Sequence, residues 1–211
     1  MRLELMTVFE FVRASCYHAK RRQLRMKALR ITGGECRGRV ISAPEGREVR
    51  PTASKIRQAF FNIISNRVAD SRFVDVCAGS GLMGLEALSR GAASLIAIEE
   101  DKKLVQAIQK NCETFGFKAN SEVICGDAKK VLPLLNSYES DVIWADPPYK
   151  SQLAAAILRV VDKNHLLAAG GILVIEHAVS LPPVEQTDEL EMFDQRKYGS
   201  TAISFYRTKL A

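Results

Sequence analysis

Asp146-Pro147-Pro148-Tyr149 follows directly on the apolar run Asp141-Val142-Ile143-Trp144-Ala145. This puts a carboxylate, two ring-locked residues and an aromatic at the end of an expected buried strand. Each proline fixes its own φ, removes an N–H donor and restricts the residue before it. The turn is therefore stiff, so the Asp146 carboxylate and the neighbouring carbonyls, that of Pro147 above all, hold set directions. Tyr149 adds a flat face for a planar ligand. Together these groups suit an exocyclic NH2 on a flat heterocycle, with acceptors for its two hydrogens and a platform for its ring. The plainer alternative is a strand-ending turn, with Asp146 as a local cap and Tyr149 as packing. Residues earlier in the chain weigh against it.

Phe73-Val74-Asp75-Val76-Cys77 reads as a short buried strand, and Ala78-Gly79-Ser80-Gly81-Leu82-Met83-Gly84 follows at once. Helical apolar spacing runs from Leu82 to Ser89, and Gly91 suits the helix end. Strand, glycine turn and helix form the context in which a glycine-rich loop binds a nucleotide, because the missing Cβ lets backbone approach a ligand. A second strand, Leu95-Ile96-Ala97-Ile98, ends on Glu99, at the distance expected of a ribose-hydroxyl acceptor. Both a nicotinamide dinucleotide and S-adenosylmethionine fit this much. Three features favour the methyl donor. Asp75 lies where a carboxylate can meet the ammonium of an amino-acid moiety. A third strand, Val123-Ile124-Cys125, leads to Gly126-Asp127-Ala128, with Asp127 within reach of an adenine amino group. The Asp146 turn then closes the fourth strand end. A dehydrogenase would leave Asp127 and the Pro-Pro turn without a task.

In this order, Asp75 with its glycine loop, Glu99, Asp127 and the Asp-Pro-Pro-Tyr turn, the chain resembles the S-adenosylmethionine-dependent amino-methyltransferases. Its flanks are similar to one branch, the bacterial 16S rRNA guanine-N2 methyltransferase (RsmD) family. That similarity rests on Arg30-Ile31-Thr32-Gly33-Gly34 with Arg37-Gly38-Arg39, on Arg50-Pro51-Thr52, and on Ala78-Gly79-Ser80-Gly81 running into Gly84-Leu85-Glu86-Ala87-Leu88-Ser89-Arg90-Gly91-Ala92. It ends with Tyr198-Gly199-Ser200-Thr201-Ala202 and covers residue 26 to the C-terminus. One departure is Cys77, where a larger apolar or aromatic residue is expected. The resemblance implies a Rossmann-like α/β fold of the class I methyltransferases, a seven-stranded, mostly parallel sheet with a C-terminal antiparallel hairpin. It implies S-adenosyl-L-methionine held by Asp75, Ala78, Gly79, Gly81, Glu99, Asp127 and Ala128, with Asp146, Pro147 and Tyr149 at the reacting base.

Alternation of strands and helical segments from Phe73 to about Glu176 independently argues for a parallel sheet covered on both faces. The expected helices span about 52–64, 101–115, 128–135 and 151–162, and Gly170 to Glu176 reads as a fifth strand. Residues 191–195 and 202–206 flank the Gly199 turn as a hairpin. Thr52 is an expected N-cap, with Lys55 in the position usually held by Glu. The five cysteines are scattered without a CxxC pair, and the three histidines show no ligand spacing, so neither a metal site nor a disulfide framework is expected. His177 reads as packing or surface. No apolar segment is long enough for a membrane span. A cytoplasmic monomer is the expectation.

The organisation expected is an N-terminal extension (1–25), a basic RNA-contacting segment (26–52) and a catalytic domain (53–211). The extension is either a basic arm or the product of an upstream start. The net charge of +6 is concentrated toward the N-terminus, where Lys27, Arg30, Arg37, Arg39, Arg47, Arg50, Lys55 and Arg57 precede the glycine loop. Such density suits phosphate contact. Arg30, Arg37, Arg39, Arg50 and Thr52 are the candidate RNA-binding residues, and 16S rRNA or an assembling small ribosomal subunit is the expected partner. A target base must be unpaired or flipped out to expose its amino group. Competing readings are a DNA adenine-N6 or cytosine-N4 methyltransferase and a non-catalytic RNA-binding assembly factor. The first usually needs more chain for sequence recognition, and the intact Asp146 and cofactor acids argue against the second.

Overall fold

Short runs of β-branched and aromatic residues become buried strands when helices cover both faces of a sheet. The computed structural model describes residues 29–42, 51–148, 152–181 and 186–209, with the side chains of 51–53 left aside. Its strands are β1 (Arg72–Val76), β2 (Ser94–Glu99), β3 (Ser121–Cys125), β4 (Ser140–Ala145), β5 (Leu167–Ala178), β6 (Leu190–Tyr198) and β7 (Thr201–Thr208). They form one seven-stranded sheet in the order β3-β2-β1-β4-β5-β7-β6. β1 to β5 are mutually parallel, and β7 pairs antiparallel with both β5 and β6. The parallel sheet and the C-terminal hairpin are those implied by the resemblance.

The helices are α1 (Pro51–Ile63), α2 (Leu82–Ser89), α3 (Lys102–Phe115), α4 (Ala128–Val131) and α5 (Leu153–Lys163). Strand alternation divides the core in two. Phe73, Leu95, Val142, Trp144, Val174 and Ile203 face α1, α2 and α3. Val74, Val76, Ile98, Ile143, Leu173 and Ile175 face α4 and α5. The winding runs outward from β1 to β2 and β3, then restarts on the other side at β4. The strand order therefore reverses between β1 and β4, and a crevice opens at their C-terminal ends.

Local chemistry sets most element ends. Asp101 caps α3 by accepting from Lys103 N at 2.8 Å, and Gly116 ends it with φ 82°. Two expectations are corrected. Thr52 is not an N-cap: α1 begins at Pro51, whose fixed φ suits the first helical position, so Thr52 lies within the first turn. The expected helix through residue 135 is α-helical only to Val131. A 3-10 turn spans Leu132–Leu135, since Pro133 cannot donate to a continuing ladder.

The N-terminal segment packs into the first core cluster through Ile31, Cys36 and Ile41. Its Gly33-Gly34 pair lies against the end of α2. A Cβ on Gly34 would stand 1.7 Å from the Ser89 carbonyl oxygen, which accepts from Glu35 N at 2.8 Å. Ser89 Oγ donates to the Gly33 carbonyl at 2.7 Å and accepts from Cys36 N at 2.9 Å. Beside this contact sits Glu86, 0% exposed. One of its oxygens accepts from Thr32 Oγ1 (2.5 Å) and from Arg90 Nε (3.1 Å) and NH2 (2.8 Å). The other accepts from Thr32 N (3.1 Å) and Arg57 Nε (2.8 Å). Arg57 is itself buried and donates on to the Arg30 carbonyl at 3.0 Å. One carboxylate thus ties the N-terminal segment and α1 to α2.

Removing one partner of a buried ion pair strands the other charge, at a cost of about 3–5 kcal/mol. Glu86→Ala is expected to lose that much in urea unfolding. A loss below about 1 kcal/mol, the range of exposed pairs, would show that the cluster is not holding these elements together.

Candidate active site

The loop leaving β1 is bent by three positive-φ residues at alternate positions, Cys77 (φ 60°), Gly79 (φ 56°) and Gly81 (φ 74°). A Cβ on Gly79 would find open space, with only the Cys77 carbonyl oxygen at 4.0 Å, so this glycine leaves its backbone bare on a free side. Gly84 serves packing instead. A Cβ there would lie 2.6 Å from Leu95 Cδ1 and 3.3 Å from Asp75 Oδ2. Cys77 adopts a left-handed backbone, which is uncommon outside glycine. Its thiol is pushed up to about 12, first by burial and then by the charges of Glu99, Asp146 and Asp75. The thiolate form needed for a nucleophile is therefore suppressed.

Glu99, at the end of β2, is 7% exposed and fastens the loop. Its Oε2 accepts from Gly79 N at 2.7 Å and its Oε1 from Asp101 N at 3.0 Å. A carboxylate offers about four lone-pair sites, so ribose hydroxyls can still be accepted. Asp127, after β3, caps α4 by accepting from Lys129 N at 2.9 Å, and Ala128 beside it is buried. Asp75 is 1% exposed, and its Oδ2 accepts from Gly84 N at 2.9 Å. Its partner within the chain is the backbone of Gly84. Its side chain is sealed beneath the loop and anchors the start of α2. Burial holds its pKa up at about 7, with the Gly84 N–H pulling it down and the Glu99 charge pushing it up.

At the end of β4, Asp146 N donates to the Val76 carbonyl at 3.2 Å. The expected turn is thereby tied to β1, next to the glycine loop. Pro147 is buried, while Asp146 and Pro148 are exposed. Tyr149 lies outside the described residues, as does Arg50, and Thr52 lies in α1 with its side chain outside the description. The sequence reading missed Glu176. β4 and β5 are in register with Ala145 opposite Ile175, so Asp146 and Glu176 come next, side by side. Glu176 is 7% exposed. The available signal was an apolar run, Ile172 to Ile175, followed by an acid, as the run ending at Ala145 is followed by Asp146. His177 is buried, with Nδ1 3.0 Å from the Ala178 carbonyl and Nε2 2.9 Å from Ser204 Oγ. A carbonyl can only accept, so Nδ1 carries the proton and Nε2 accepts from Ser204; this is a packing role.

The basic residues divide into two groups. Arg37 and Lys55 are exposed. Arg30 is exposed too, with NH1 donating to the Gly38 carbonyl at 2.9 Å. Arg39 NH2 donates to the Thr114 carbonyl at 2.9 Å, and its guanidinium lies 4.1 Å above the Phe115 ring, so it docks the N-terminal segment on α3. Arg57, read with the phosphate-contacting run, belongs to the buried Glu86 cluster.

Residues 29–207 match the family described as Conserved hypothetical protein 95. YlbH of Bacillus subtilis strain 168 is 32% identical over 183 residues, spanning 86% of this chain and 100% of that one. Ribosomal RNA small subunit methyltransferase D of Escherichia coli K12 is 33% identical over 182 residues, 85% of this chain and 89% of that protein. The solved structure of the Escherichia coli protein YhhF superposes with a TM-score of 0.76 at 28% identity, covering 86% of this chain and 98% of that one.

The raised Asp75 carboxyl makes stability depend on pH. Between the ordinary carboxylate range and about 7 the folded chain holds a proton that the unfolded chain has released. The stability Asp75 contributes is therefore full at low pH and is lost as pH rises through about 7. Asp75→Asn cannot ionise, so its melting temperature should fall less than that of the wild type between pH 5 and pH 8. Equal falls would show that Asp75 is already ionised at the lower pH.

Proposed function

The chain belongs to the family described as Conserved hypothetical protein 95, and from that premise we propose that it is a methyltransferase of ribosomal RNA. In this reading it transfers a methyl group from S-adenosyl-L-methionine to the exocyclic N2 of a guanine in 16S rRNA. The observation that carries the reading is the Asp146 N–H to Val76 carbonyl bond. It ties the Asp-Pro-Pro turn to the end of β1 beside the glycine loop, which supports a reading in which donor and amine meet at one sheet edge. The name of the Escherichia coli relative, a ribosomal RNA small subunit methyltransferase, supports the choice of RNA. The protein would act as a cytoplasmic monomer on 16S rRNA or on an assembling small subunit.

The donor supplies an electrophilic methyl carried on a positively charged sulfur. Glu99 accepts from the ribose hydroxyls, Asp127 accepts from the adenine amino group, and Ala78, Gly79, Gly81 and Ala128 provide the close backbone wall. Asp75 serves the donor site by holding Gly84 N–H and with it the start of α2. The guanine amino nitrogen is a poor nucleophile because its lone pair is delocalised into the ring. Asp146 and the Pro147 carbonyl hold its two hydrogens, which favours a more tetrahedral nitrogen with its lone pair turned outward. The N2–methyl bond would form as the sulfur–methyl bond breaks and leaves a neutral thioether, and the proton that N2 sheds would pass through the Asp146 carboxylate to solvent. Positioning and preorganised acceptors supply the rate. Tyr149 stacks on the base after it leaves its helix. The exposed Arg30, Arg37 and Lys55, together with Arg50, meet the phosphates.

Asp146→Ala should keep the fold and the donor affinity but slow transfer about 10²–10³-fold, the usual cost of one preorganised polar partner. Tyr149→Phe should be mild and Tyr149→Ala severe, since base stacking is worth roughly 1–3 kcal/mol. Both are read by single-turnover transfer to small subunits from a deletion strain, after mapping the methylated guanines that the strain lacks. No missing guanine-N2 methyl group in that strain, or a wild-type rate for Asp146→Ala, would sink the reading.

A second expectation separates the arginines. Arg37→Glu should lower the salt slope of RNA binding by about one phosphate contact without loss of stability. Arg39→Glu should also destabilise the fold, because it breaks the Thr114 and Phe115 contacts. A binding curve for Arg37→Glu with the wild-type salt slope would remove Arg37 from the RNA track.

A further inference from the structure

We propose that Glu176 reads the Watson–Crick edge of the target base. It accepts from guanine N1–H while Asp146 holds the adjacent amino group, and so selects guanine over purines that lack this proton. This rests on the guanine-N2 reading above and adds to it a residue that chooses the base.

Three observations place Glu176 there. Ala145 and Ile175 are register partners in the parallel pair of β4 and β5, so Asp146 and Glu176 follow each other at the same level on neighbouring strands. Backbones of neighbouring strands run about 4.8 Å apart, a separation that lets two carboxylates serve neighbouring donors on one ring. Side chains two apart on a strand share a face, so Glu176 shares that of Val174. Its own register partner, Ile203, belongs to the same core cluster, the face of Trp144, two residues before Asp146. Glu176 is also 7% exposed. A carboxylate so poorly hydrated discriminates between a donor, which it accepts from, and the lone pair of a second acceptor, which it repels. Its neighbour His177 takes no part, being bound to Ser204 and the Ala178 carbonyl on the other face.

The chemistry of the ring fits this pair of acids. Guanine presents N1–H and the N2 amino group side by side, which makes a row of donors for acceptors on β4 and β5. Adenine and 2-aminopurine present a bare N1 lone pair at the same place. Facing Glu176, that lone pair would be repelled even where an amino group stands ready to react.

The test measures single-turnover methyl transfer to small subunits reconstituted with 16S rRNA. The rRNA carries either guanine or 2-aminopurine at the position that the wild-type protein methylates. Both bases have the reacting amine, and only guanine has N1–H. Wild type should prefer guanine. Glu176→Gln, whose amide can donate to a bare N1, should shift that preference toward 2-aminopurine by about 10- to 100-fold, the range of one hydrogen bond to a charged group. Equal losses on both bases would overturn this role and leave the guanine-N2 reading standing, since a merely structural defect lowers both rates together. No transfer by wild type to guanine would overturn the functional reading and this proposal with it. Should Glu176→Gln fail to fold, wild type decides. A rate on 2-aminopurine about tenfold or more below that on guanine supports the reader, and equal rates overturn it.

Discussion

The hydrogen bond from Asp146 N–H to the Val76 carbonyl carries the pairing of β1 with β4 one residue past the end of β4. It lies at the reversal of strand order, where the two windings part. Because β1 to β5 all point the same way, the acids that terminate them collect on one edge. Asp75, Glu99, Asp127, Asp146 and Glu176 arrive there from five strands. Such a gathering of like charges is unfavourable, and the structure offsets it with main-chain donors. Glu99 accepts from two N–H groups, Asp127 from one and Asp75 from one. For Asp75 burial goes further and keeps its carboxyl partly protonated near neutrality. An edge assembled in this way suits a ligand that brings positive charge and hydrogen-bond donors.

The second constraint is the Glu86 cluster. A buried ion pair adds little net stability over apolar packing, because desolvation consumes most of the Coulomb gain. Its consequence here is registration. Thr32, Arg57 and Arg90 meet one carboxylate in a single arrangement, and the Gly-Gly contact with Ser89 leaves no room for a slipped one. The N-terminal segment is therefore fixed relative to α2, which begins at the glycine loop. Any surface built on Arg30 and Arg37 keeps a set distance from the site, without a hinge between them.

Local sequence revealed those parts of the fold whose causes are local. β1, β2 and β4 were legible because strands covered on both faces are apolar throughout. Glu99, Asp127 and Asp146 were legible because each lies at the end of its strand or within two residues of it. Glu86 was not, since it stands inside Leu-Met-Gly-Leu-Glu-Ala-Leu-Ser and its partners Thr32 and Arg57 lie 54 and 29 residues away. Arg39 and Arg57 look like their neighbours in the basic run. Only tertiary structure shows that one stacks on Phe115 and the other is sealed inside. Glu176 escaped notice because its closeness to Asp146 depends on the register of β4 and β5. The burial of Asp75 escaped for a related reason. Residue type gives a carboxylate in a strand, but only the approach of α2 decides that it is covered.

Charge separation then links the two constraints. The chain carries a net charge of +6, yet its ligand edge is acidic. A nucleic acid approaching this surface meets opposite forces on its two chemical parts. Phosphates are drawn to Arg30, Arg37 and Lys55 and repelled by Asp146 and Glu176. A neutral base with donors on its edge is favoured where the phosphates are not. On the proposed reading, the field itself sorts base from backbone and turns an unpaired nucleotide inward, before stacking or hydrogen bonding begins. Its strength must fall with salt on the exposed basic side, where the Debye length at physiological ionic strength is about 8 Å. Glu176 and Glu99 are buried and less screened, so on that reading the selectivity of the edge outlasts the attraction of the rim as ionic strength rises.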